Sequence, residues 1–289
     1  MAARSPVYAG KQAEASPPEH AIELAHSGRC REALPFLKTA TNSANTQMKY
    51  DSAMLLARCA MSLDRTQTAV EALLLLNREF PHDPEVLYTT THFYSELASR
   101  ASQQLASTAP RSAQAEKLEA EAFESQADWD RATEQYNKIL EQNPKEPEIH
   151  FRLGRILLSK IPPDPKGAKK EFEEELKVNP TNASAEFMLG ETARRAGVWN
   201  EAISHFLRAT KLDAGFAEAY LALGISLNSA GKFSDAISPL QSYVKMEPRD
   251  PAGHYQLATA YSRTGKKPEA EHEMALQREA SARNPQQAH

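Results

Sequence analysis

Residues 187–206 read FMLGETARRAGVWNEAISHF, and 34 residues later residues 221–240 read LALGISLNSAGKFSDAISPL. Leu189-Gly190 returns as Leu223-Gly224, Trp199 as Phe233, Ala202-Ile203 as Ala236-Ile237, Phe206 as Leu240 and Ala209 as Tyr243. Within each copy the apolar residues recur at three and four positions, a Gly breaks the pattern, and the same period resumes. Each copy therefore reads as two amphipathic helices joined by a tight turn, and a fixed period of this length marks an array of such hairpins.

Working outward, the same register extends over most of the chain. It predicts about eight helix-turn-helix repeats, near 17–46, 50–83, 84–112, 113–146, 147–182, 183–216, 217–250 and 251–283, between an N-terminal disordered arm at 1–16 and a tail at 284–289. Residues 1–16 carry Ala, Ser, Pro, Gln and Lys without periodicity. The third repeat is shortened: no Gly or Pro occurs between Pro84 and Pro110, and the helical period runs on where a turn belongs. One long helix at about 85–107, or a hairpin with its turn nearly erased, is the expectation there. The fifth repeat is two residues longer, and the insertion falls in Ile161-Pro162-Pro163-Asp164-Pro165, a rigid turn. The last helix, rich in Glu, Gln, Arg and Ala, reads as a polar cap.

Small residues stand at the eighth position of the first helix of each repeat, among them Ala57, Ala120, Gly154, Gly190, Gly224 and Ala258. Gly inside a helix costs about 1 kcal/mol against Ala, so close packing of the second helix is the natural compensation. Gly28, Gly197, Gly231 and Gly265 stand at the turns, where a left-handed residue ends a helix. These glycines read as structural, with no role in cradling phosphate.

The pattern L-G-x-x-[AYL]-x-x-x-G-x-[WFK]-x-x-A-x-x-x-[FLM], followed by Pro at the boundary, resembles the tetratricopeptide repeat (TPR) family over roughly 17–283. The match is closest in repeats five to eight and loosest in one and three. The resemblance implies an all-α fold, a right-handed superhelical solenoid whose first (A) helices line a concave groove that binds an extended or helical segment of another protein. In the family's register, positions 2, 5, 9 and 12 of helix A face that groove. Here they include Arg58, Tyr88, His92, Phe151, Arg155, Phe187, Arg194, Leu221, Asn228 and Tyr255, with Arg152 close by. Arg pairs with carboxylates and aromatics fill pockets, as a peptide groove requires. The alternative is that the aromatics pack against the next repeat and the Arg residues form a solvated face. Chaperone-binding relatives clamp a C-terminal carboxylate through Lys at position 5 and Asn at position 9. Lys117 is followed by Glu121 here, so an internal partner segment is expected instead.

The expected function is a non-enzymatic protein-interaction scaffold. The alternatives are a structural subunit that self-associates within a larger complex, or a detached regulatory module of an enzyme. With a net charge of -4 the chain lacks the basic excess of a nucleic-acid binder. No cofactor is expected: phosphate-loop, nucleophile-elbow and zinc-protease motifs are missing, and His20, Glu23 and His26 diverge around a helix. Glu271, His272 and Glu273 point three ways. The longest aliphatic run, Leu73 to Leu76, is far short of a membrane span. Residues 1–20 lack the apolar core of a signal peptide, so a cytoplasmic location is expected, or a periplasmic or secreted one if a leader precedes the sequence. Cys30 and Cys59 are too few for a disulfide framework and lie outside any C-x-x-C, so both read as free cysteines, buried or half-buried on helices.

Overall fold

A computed structural model describes residues 17–283; the expected arm at 1–16 and tail at 284–289 lie outside the described residues. Fifteen α-helices and no strand occur among the described residues. They are α1 (Pro17–His26), α2 (Cys30–Ala40), α3 (Thr46–Ser62), α4 (Thr66–Glu79), α5 (Pro84–Thr108), α6 (Ala113–Ser125), α7 (Trp129–Gln142), α8 (Ile149–Ser159), α9 (Pro165–Val178), α10 (Ala183–Arg195), α11 (Trp199–Leu212), α12 (Ala217–Ser229), α13 (Phe233–Met246), α14 (Pro251–Arg263) and α15 (Lys267–Arg283). The chain divides between Thr108 and Ala109 into two compact bodies.

In the N-terminal body, α1 to α4 pack in succession around Leu24, Leu37, Leu56, Leu73 and Leu76, with Val86 and Phe93 of α5 closing the same core. The stretch without a turn is one 25-residue helix, α5. The cysteine expectation needs correction. Cys59 is buried as expected, but it is joined to Cys30 by a disulfide, and neither is free. Cys30 opens α2 and Cys59 lies in the last turn of α3, which runs back alongside α2. Their Cα atoms come within 5.0 Å, inside the range a bridge can span. The separation of 29 residues links one hairpin to the next, so neither cysteine's own repeat announces the pair.

In the C-terminal body each odd-numbered helix from α7 to α15 packs on the helix before it, and each pair packs on the next. The close approach expected at the eighth position is present. A Cβ on Gly154 would lie 2.5 Å from the Phe172 ring, and one on Gly190 would lie 2.6 Å from the Phe206 ring. Both rings are fully buried. Side-chain caps start many of the helices: Ser112, Asp128, Asp164, Asn182 and Asp250 each accept a hydrogen bond from a first-turn N–H. The turns use one geometry. Gly197 has φ 72°, and the following N–H, of Val198, closes back on the Ala193 carbonyl at 2.9 Å. Asp64 and Ala127 hold the same left-handed place at φ 57° and 56°, with Arg65 and Asp128 closing back on Ala60 and Phe123 in the same way. The turn geometry therefore belongs to the repeat and is kept even where no glycine eases it.

Candidate functional site

The A helices carry the residues singled out for partner binding. In the N-terminal body, Arg58 of α3 and Tyr88 and His92 of α5 line one open depression of about 610 Å³, completed by Met61, Thr89, Ser95 and Glu96. Tyr88 and His92 are one helical turn apart, so their rings touch, tilted at 59° with centroids 4.6 Å apart. Tyr88 is 66% exposed, although it is large and aromatic. The Arg58 guanidinium donates to Glu85 at 2.6 Å, with both side chains more than half exposed. A surface pair of this kind contributes little, so a partner's carboxylate can replace Glu85 at small cost.

The C-terminal body treats its predicted residues differently. Arg152 of α8 donates to Glu121 at 2.8 Å and to Glu124 at 3.1 Å, both on α6, and Glu124 also accepts from the Tyr136 hydroxyl at 2.9 Å. Arg155 reaches the same Glu124 at 3.9 Å. Burial works against the Arg152 cation, but Tyr136, Glu124 and Glu121 together outweigh it and raise its pKa above the usual arginine value. Burial, opposed by the Arg152 charge, raises the Tyr136 hydroxyl well above its ordinary range. Arg152 is thus a strut between two A helices. Arg194 is engaged by Glu191 through two bonds of 2.8 Å. Phe151 packs on Phe172 with centroids 5.8 Å apart, and Phe187 sits between Phe206 and Phe216 at 5.6 and 4.9 Å. Asn228 of α12 donates to the Gln256 carbonyl and side chain of α14 at 3.0 and 3.1 Å. Tyr255, 52% exposed, presents a ring without a stacking partner among the described residues. Arg152, Phe151, Phe187 and Asn228 join neighbouring helices, Arg194 is paired within its own helix, and Arg155 and Tyr255 are more than half exposed.

Two features escaped the sequence reading. Glu175 of α9 is fully buried and accepts from the Glu148 and Phe151 N–H groups at the start of α8, and from Asn182. A carboxylate from the second helix thereby satisfies the N-terminus of the first, where the helix dipole favours negative charge. Three repeats also carry a histidine–carboxylate stitch between their helices. His150 meets Glu171 at 2.7 Å, His205 meets Glu186 at 2.6 Å and His254 meets Glu273 at 2.6 Å. In the middle stitch the carboxylate is on the first helix and the imidazole on the second, the reverse of the other two. Glu186 also takes the Arg208 guanidinium at 2.7 Å. Overlaying the repeats would have exposed the alternation of His and Glu at one register position; single-motif searches could not.

Models of the tetratricopeptide repeat match residues 113–156 and residues 164–217 and 221–288, together more than half of the chain. Among solved structures, MamA resembles the chain with a TM-score of 0.53 at 22% identity, covering 61% of this chain and 96% of that one. A MamA from Desulfovibrio magneticus RS-1 gives 0.52 at 17%, covering 59% and 95%. YrrB, described as a TPR protein with an unusual peptide-binding site, gives 0.54 at 21%, covering 65% and 94%. No curated protein matches the sequence. At these identities the solved structures speak for the fold, and with the family models and the helix pairs they agree on one conclusion: the chain belongs to the tetratricopeptide repeat family.

Proposed function

We propose that the chain is a non-enzymatic scaffold that binds an extended segment of a partner protein against its A helices. The observation that carries this reading is the depression between α3 and α5, where Arg58, Tyr88 and His92 come together. It offers a tilted pair of aromatic rings for an apolar side chain and a weakly held guanidinium for a carboxylate. Replacing Tyr88 by Ala and Arg58 by Glu removes both without touching the buried core. Quantitative affinity purification of the full chain is expected to recover the main partner at least about tenfold less with this double variant, with an unchanged circular dichroism spectrum. Equal recovery would remove the depression from the binding surface.

We further propose that the protein works in an oxidising compartment, a reading supported by the Cys30–Cys59 bridge. Disulfides persist in secreted and periplasmic settings and are scarce in a reducing cytosol. No helix of the described residues is long and apolar enough to cross a membrane. Alkylation in denaturant without reductant, after acid quenching of the cell of origin, is expected to label neither cysteine. Labelling of both would restore the cytoplasmic expectation.

A further inference from the structure

The proline-rich insertion builds a cavity of its own, at the C-terminal ends of α8 and α10. Its walls are Leu158 at the end of α8, Pro163 and Pro165 of the inserted turn, and Ala193, Ala196 and Val198 around the turn from α10 to α11. The cavity holds about 550 Å³, a volume typical of ligand pockets. Pro163 and Pro165 of the inserted turn form one wall, and each ring fixes its own φ, which narrows the ways that wall can move.

Charge selects the occupant. Lys166, Lys169, Arg195 and Glu201 stand around the apolar floor. Lys169 and Glu201 neutralise each other at 2.6 Å, whereas Lys166 and Arg195 are exposed and make no ion pair among the described residues. The rim is left with two uncompensated cations over an apolar cavity. Two separate cations beside one apolar cavity call for an occupant that carries more than one negative group next to its apolar part. We propose that this cavity seats an apolar side chain of an acidic peptide segment, whose flanking carboxylates pair with Lys166 and Arg195. This second binding surface shares no residue with the depression at Arg58, Tyr88 and His92, so either proposal can fail alone.

The test is a titration of the isotopically labelled full chain, followed by amide chemical shifts, with three short capped peptides. One has a leucine and a phenylalanine among glutamates, one has serines in place of those two residues, and one has lysines in place of the glutamates. The first is expected to shift amides around 158–169 and 192–201, and the other two to bind at least about tenfold more weakly. The double variant Lys166→Glu with Arg195→Glu is expected to weaken the first peptide by about tenfold or more. Val198→Asp is expected to do the same. Val198 is the N-cap of α11 and offers no side-chain hydrogen bond, so the aspartate supplies a cap and helps the fold; loss of binding in this variant reports the cavity. Equal binding of the serine peptide, shifts confined to the depression at Arg58, Tyr88 and His92, or binding of decanoate without binding of the acidic peptide would each overturn the proposal.

Discussion

Reducing the Cys30–Cys59 bridge is expected to destabilise the N-terminal body by about 3.5 kcal/mol, the chain-entropy value for a loop of this size. The bridge closes a loop spanning a sequence separation of 29 residues. That loop contains all of α2 and most of α3, so opening it enlarges the unfolded ensemble while leaving the packed helices in place. Urea unfolding followed by hydrogen exchange in α2 and α3, with and without reductant, measures the effect. A variant with Ala at both positions should match the reduced protein and respond to reductant no further. Equal midpoints in the two conditions would show that the bridge contributes nothing to stability.

Phe206→Ala is expected to cost about 4 kcal/mol, as large-to-small changes of buried aromatics do. The ring is fully buried and packs on Phe187. Its neighbour Gly190 gives the sharper result. In the natural chain Gly190→Ala is expected to destabilise by about 1 kcal/mol net, because overpacking exceeds the gain in helix propensity. In the Phe206→Ala background the ring that lies 2.6 Å from the added Cβ is gone, and Gly190→Ala should stabilise by about 1 kcal/mol. Thermal unfolding of the four proteins gives the coupling, about 2 kcal/mol. Additive effects would mean that the glycine is there for another reason.

The glycine at position 190 could be read from the sequence because its cause is local to the repeat: helix B must cross where a side chain would stand. The same holds for α5, whose length follows from the missing turn. The proposed binding surface is harder to read, because the state of an arginine depends on what the neighbouring repeat places opposite it. Arg152 and Arg155 are three residues apart on one helix, yet Glu121 and Glu124 hold the first and leave the second more than half exposed. Periodicity locates a face and does not say which of its charges are already answered. The disulfide was missed for a similar reason, since it joins different hairpins. Ala127 was missed because the left-handed turn was sought through glycine, whereas the fold imposes that conformation on whatever residue stands there.

The three histidine–carboxylate stitches limit how such a chain can be rearranged by recombination. Exchanging α11 with α15 would set His205 opposite His254 and Glu273 opposite Glu186, two like pairs in place of two complementary ones. Exchanging whole hairpins keeps each imidazole with its own carboxylate. The stitches therefore work as a key between repeats: α9 and α15 can trade places with both pairs intact, whereas the second helix of the middle stitch fits only its own first helix.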